Sequence, residues 1–208
     1  MPIIKHTNLN ENTVLALWKI TETKEELLAL LSPYLIDNGN NMPNNIHWLA
    51  SRVLLQELFE GKSIELHKNE FNKPSLTING KPYTISITHS YEYAAVMFSR
   101  SHAVAIDLER IDKRVLRVTH KFIREDELFT ETDAILYSTI IWSAKETLYK
   151  YYGKKELDFR LNLQVYPFVY DANPFVATGT ICKENYQLNL PIHIETIEGY
   201  VLTYSFGN

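Results

Sequence analysis

The feature that most restricts this chain is a pair of carboxylates at the end of an apolar run. Ala103-Val-Ala-Ile-Asp-Leu-Glu-Arg-Ile-Asp112 reads as a buried strand carrying Asp107 and Glu109. Side chains alternate faces along a strand, so residues i and i+2 emerge on the same side. Two carboxylates on one face of a core strand repel each other and resist burial unless something positive sits between them. A hard divalent cation such as Mg²⁺ meets that need, because it takes carboxylate oxygens and keeps water and substrate phosphates as its other ligands.

A second stretch, Ile141-Trp-Ser-Ala-Lys-Glu-Thr-Leu-Tyr-Lys150, supplies what that strand lacks. At about 100° per residue, Trp142, Glu146 and Lys150 stack on one helix face. Tyr137, Ile141, Ala144 and Leu148 gather on the adjacent face and pack the helix onto a core. The pattern displays a third carboxylate and an ammonium on a rigid support beside an aromatic ring. Each motif alone has an ordinary explanation. Asp107 and Glu109 could be solvated or paired with Arg110, and Glu146 with Lys150 could be an i, i+4 pair worth about 0.2–0.5 kcal/mol. Their combination is what points to a metal and phosphate site.

Composition narrows the class. The 208 residues, 45% apolar, suffice for one large domain or two small lobes. A formal charge of -4 leaves no overall basic footprint for nucleic acid. The single Cys182 excludes an intrachain disulfide framework and a cysteine-rich zinc site. The start, Met-Pro-Ile-Ile-Lys-His, lacks the form of a signal peptide, and no apolar run is long enough to span a bilayer. The expectation is a cytoplasmic protein that touches neither membrane nor nucleic acid.

Thr13–Ile20 reads as a strand. Thr23 with Glu26 forms a capping-box pattern opening a helix to about Leu31. Asp37–Asn44 is rich in turn residues, and Thr132 is placed to cap a long helix over about 133–152 that Gly153 ends. A further helix covers about 45–60, with Gly61 as its stop. Glu65–Phe71 reads as a strand, and Asn79-Gly80 as a type I′ hairpin turn. Tyr83–Ser90 alternates like a strand, and Tyr93–Ser99 reads as the next strand of the same sheet. A helix-like segment follows Asp112 and ends in Phe122-Ile-Arg-Glu-Asp-Glu127. From Phe159 onward the chain is β, with strands near 161–166, 175–182, 186–193 and 200–206 and turns at Asp171–Pro174 and Lys183–Asn185.

The two motifs resemble those of 4′-phosphopantetheinyl transferases of the surfactin-synthetase-activating type. That family carries G-[IV]-D-[IV]-E, then W-[ST]-x-K-E-[AS]-x-x-K. Here they stand as Ala105-Ile106-Asp107-Leu108-Glu109 and Trp142-Ser-Ala-Lys-Glu-Thr-Leu-Tyr-Lys150, with Ala105 for the glycine and Thr147 for the small residue. Lys73-Pro74 resembles the family's G-K-P, with Asn72 for Gly; Gly80-Lys81-Pro82 is a second candidate. Thr88-His89-Ser90 resembles its S-H-S. The resemblance covers most of the chain, fading at the N-terminus and from about Phe159 onward.

The resemblance implies an α/β (α+β) fold of two similar lobes related by a pseudo-twofold axis. Each lobe would be a small, mainly antiparallel sheet with a long helix. We place them at 1–101 and 102–208, with the coenzyme A and metal site between them. It also implies a holo-acyl-carrier-protein synthase activity: transfer of phosphopantetheine from coenzyme A to a serine of an apo acyl or peptidyl carrier protein. Adenosine 3′,5′-bisphosphate would be released. Asp107, Glu109 and Glu146 would hold Mg²⁺, although Mn²⁺ suits the same oxygen ligands. Glu146 and Lys150 would be catalytic. Arg52, Lys73, Thr88, His89 and Lys150 would bind the coenzyme, and Glu127 would lie near it. Two fused lobes would complete the site in a monomer. A non-catalytic coenzyme- or nucleotide-binding module and a metal-dependent pyrophosphate hydrolase remain the alternatives.

Overall fold

This computed structural model describes residues 3–32, 35–37, 45–127, 133–170 and 172–207. They belong to two compact units, Met1–Val104 and Ala105–Asn208.

The first unit is built on a seven-stranded sheet. Its strands are β1 (Ile3–Asn8), β2 (Thr13–Lys19), β3 (Leu35–Asp37), β4 (Ile64–Lys68), β5 (Pro74–Ile78), β6 (Lys81–Ser90) and β7 (Tyr93–Ser99), in the order β1-β2-β7-β6-β5-β4-β3. All pairings are antiparallel except β3 with β4. Asn79 and Gly80 both take positive φ, 47° and 76°, and Ile78 pairs with Lys81 across them. That is the backbone of the expected type I′ turn.

Helix α1 (Lys24–Leu30) packs against α2 (Ile46–Leu58), and α2 packs on this sheet. In α1 the capping box is complete: Glu26 N–H donates to Thr23 Oγ1, and Thr23 N–H donates to Glu26 Oε2. In α2 the Asn45 side chain accepts the His47 N–H at 2.9 Å. Leu49, Ala50, Val53 and Leu54 recur at helical spacing and bury against Trp18, Ile85, Ala94 and Val96. Strands β1 and β3 were not expected. The first is a half-exposed edge strand, IIKHTN, without a full apolar face, and the second has three residues, too few to show a period.

The second unit carries a five-stranded sheet ordered β8-β12-β11-β10-β9. Its strands are β8 (Val104–Arg110), β9 (Leu163–Val165), β10 (Phe175–Lys183), β11 (Tyr186–Ile197) and β12 (Tyr200–Phe206). The 19-residue helix α3 (Ala134–Tyr152) lies on it. Asp133 caps its start, accepting from the N–H of Ile135 and Leu136, and Gly153 ends it at φ 65°. Thr132, residues 38–44 of the expected loop and Asp171 of the expected turn lie outside the described residues. Ile140, Ile141, Ala144 and Leu148 are fully buried. Each buried Ile or Leu contributes about 1.5–3 kcal/mol before opposing terms. This face fixes which side of α3 meets β8.

The segment after Asp112 is not a continuous helix. It breaks into 3₁₀ turns at Lys113–Arg117, Thr119–Lys121 and Glu125–Glu127. Its charges are one reason: Lys113 with Arg117, and Arg117 with Lys121, would repel at i, i+4. β-Branched Val115, Val118 and Thr119 also lose side-chain freedom in a helix.

The fold class is thus α+β: two mainly antiparallel sheets, each covered by helix. Among the described residues no helix is long and apolar enough to cross a membrane.

Candidate functional site

The β8 carboxylates meet α3 in the second unit. Asp107 is 4% exposed, and both its oxygens are engaged. Lys150 Nζ donates to Oδ1 at 2.7 Å and to the Ile106 carbonyl at 3.2 Å. Ser143 Oγ donates to Oδ2 at 2.8 Å. Ser143 in turn lies 2.9 Å from Thr203 Oγ1, which lies 2.7 Å from Thr147 Oγ1. Small hydroxyl residues at these helix positions therefore bridge α3 to β12 and to Asp107. Glu109 is reached from the same helix, where Trp142 Nε1 donates to its Oε1 at 2.8 Å.

Electrostatics tie Glu146 to the pair. Burial pushes the Glu109 carboxyl up to about 7; Asp107 adds to the shift, while Trp142 and Lys150 oppose it. Glu146 is also pushed up to about 7, first by burial and then by Asp107 and Glu109, against Lys150. Three carboxylates therefore share one field with the Lys150 ammonium. Among the described residues no three His, Cys, Asp or Glu side chains stand as a ready metal cage. The donor chemistry nevertheless suits a hard divalent cation, since all three groups offer carboxylate oxygen and Asp107 raises the carboxyls of the other two.

The remaining candidates lie in the first unit. Arg52 on α2 is not a solvated helix arginine: its Nε and Nη2 donate to Asp37 Oδ2 at 3.0 and 2.9 Å. Both side chains are 8% exposed, and the guanidinium lies over the Trp48 ring at 4.6 Å. Lys73 is half-buried, which lowers its ammonium pKa. Asn72, standing where the family pattern has glycine, adopts φ 66°, a conformation that Asn tolerates better than most residues. Lys81 is exposed at the start of β6, opposite Ile78. Thr88 is buried in β6, whereas His89 is exposed and stacks on His47 with centroids 4.6 Å apart.

One element of the second unit escaped the sequence reading. Lys145 and Glu127 form an ion pair with both side chains 0% exposed. Lys145 Nζ donates to Glu127 Oε2 at 2.7 Å and to the carbonyls of Phe122 and Phe159 at 2.6 and 2.9 Å. Glu127 also accepts the N–H of Arg124 and of Val165. The available signal was a charge on the wrong face: Lys145 follows Ile141 by four residues, in register with the core.

Residues 103–205 match the family model for the 4′-phosphopantetheinyl transferase superfamily. One curated relative is a 4′-phosphopantetheinyl transferase, gsp, of Aneurinibacillus migulanus, 29% identical over 112 residues. The match covers 51% of this chain and 46% of that protein, so this chain spans about half the relative's length. The C-terminal half of the chain thus belongs to the 4′-phosphopantetheinyl transferase superfamily. The matched span includes the β region beyond Phe159, where motifs alone carried no resemblance.

Proposed function

We propose that this protein transfers 4′-phosphopantetheine from coenzyme A to a serine hydroxyl of an apo acyl or peptidyl carrier protein. Adenosine 3′,5′-bisphosphate is the second product. The observation that carries this reading is the Asp107, Glu109, Glu146 and Lys150 group, held by β8 and α3 within the matched span. Asp107, Glu109 and Glu146 would hold Mg²⁺ or Mn²⁺, which would supply charge neutralisation at the pyrophosphate. Lys150 adds a cation for the same phosphates. Glu146 or a water on the metal would accept the serine proton. His89, Lys73, Thr88 and Arg52 are assigned to the coenzyme's phosphates; Arg52 must share its guanidinium with Asp37 to do so. A cytoplasmic, monomeric enzyme belongs to the same proposal.

Release of adenosine 3′,5′-bisphosphate, followed with and without an apo carrier, tests the reaction class. Carrier-dependent release is expected. Release without carrier would instead make the protein a hydrolase, and coenzyme binding with no release under any condition would make it a binding module.

The raised carboxyls give a pH prediction with a definite sign. Between pH 4.5 and about 7 the unfolded chain has lost protons that Glu109 and Glu146 still hold. The metal-free protein should therefore lose stability as pH rises through this window, and added Mg²⁺ should restore it at pH 7 and above. Because binding must displace those protons, metal affinity should weaken about 10- to 100-fold from pH 8 to pH 6. Calorimetric titration at the two pH values checks this; equal affinity would contradict the assignment of these ligands.

A further inference from the structure

Trp142 is confined on two sides. Phe159 stacks on it with ring centroids 5.3 Å apart and planes 23° apart. Phe122 meets it edge-on at 5.0 Å and 61°. Tyr149 also stacks on Phe159, with ring centroids 5.6 Å apart. These two phenylalanines come from separate segments, one before α3 and one after it. Their backbone carbonyls accept from the same ammonium, Lys145 Nζ. Glu127 fixes that ammonium, and its other oxygen is tied to Val165 N–H on β9.

The contacts thus run from Lys145 through two carbonyls to two rings, from the rings to the indole, and from the indole N–H to Glu109. A leucine at position 145 would fill a core position without the cost of burying a charge. What the ammonium adds is a common tether for two segments that otherwise end in turns. An indole held between two rings keeps one orientation, and with it one direction for its only donor.

We propose that Lys145 and Trp142 are positioning residues for Glu109. The buried ammonium sets an aromatic clamp, and the clamp aims the N–H that holds the carboxylate. The functional part of this inference rests on Glu109 serving as a metal ligand.

The test is a pair of readouts on ¹⁵N-labelled protein. The chain has three tryptophans, so loss of one indole cross-peak in Trp142→Phe assigns that of Trp142. Phe159→Leu leaves the Lys145–Glu127 pair in place, and Lys145→Met/Glu127→Gln removes both charges together. In each, the Trp142 indole proton should shift upfield and exchange faster with solvent. Glu109→Gln should move the same cross-peak. The Mn²⁺ concentration for half-saturation, read by electron paramagnetic resonance of the free ion, should rise about 10-fold in the clamp variants and in Trp142→Phe.

An indole resonance that stays in place in both clamp variants overturns the proposal, even if their melting temperatures fall. Unchanged Mn²⁺ affinity in all of them also overturns it. If the wild-type protein binds no Mn²⁺, the ligand reading falls with it, and the indole shifts alone decide whether the clamp aims the N–H. If the shifts and the Mn²⁺ effect appear but wild-type protein modifies no carrier, the proposed function fails while the clamp stands.

Discussion

Asp107→Asn should lower metal-dependent transfer by about 10²–10³-fold or more while the protein stays folded. Asparagine keeps an oxygen to accept from Ser143, so the bridge from α3 to β8 retains a partner. What disappears is the negative charge at the centre of the carboxylate group. Lys150 loses its ion pair at 2.7 Å. Asp107 is a cause of the raised carboxyls of both Glu109 and Glu146, so both should titrate at lower pH in the variant, though still above 4.5 because burial remains. Carboxyl carbon shifts followed by pH titration measure this directly. A variant that folds, titrates as predicted and retains full activity would remove Asp107 from the chemistry.

Lys145→Met should destabilise the second unit by about 3–5 kcal/mol. Glu127 would remain fully buried without its cation, and the carbonyls of Phe122 and Phe159 would each lose a donor. Adding Glu127→Gln should recover much of the loss, since removing both charges leaves no uncompensated ion. Urea unfolding of wild type, single and double variants gives the comparison. A single variant as stable as wild type would show that the pair does not hold this unit together. The same cycle separates the structural work of Lys145 from its proposed work on the clamp.

Local pattern carried much of this architecture. Alternation located β6, apolar strand-like runs located β2, β7 and β8, the capping box located α1, and the Asn79-Gly80 dipeptide located a hairpin. These signals lie within a few residues and reflect backbone preferences that tertiary contacts here did not override. The edge strands β1 and β3 gave no such signal. The basic stretch from Lys113 to Lys121 has helix-like apolar spacing, but its like charges and β-branched residues go with 3₁₀ turns.

The site divides along the same line. The i, i+2 spacing of Asp107 and Glu109 and the i, i+4 spacing of Trp142, Glu146 and Lys150 are local, and they indicated which side chains share a face. The partners were not local. Nothing near Arg52 in sequence indicates that Asp37, on a three-residue strand, will take its guanidinium. Glu127 and Lys145 are separated by eighteen positions, and only the packing of α3 turns them from surface candidates into a buried pair. Charge pairs made across elements depend on the whole core, which a motif does not encode.

The most direct test of the account is the intact mass of an apo carrier protein incubated with this protein, coenzyme A and Mg²⁺. Parallel samples contain EDTA or the Asp107→Asn variant. The account predicts a gain of one phosphopantetheine on the carrier with wild-type protein and Mg²⁺, and none in the other two samples. Carriers of fatty-acid, polyketide and peptide pathways that all remain unmodified, or a gain that persists undiminished in EDTA, would contradict it.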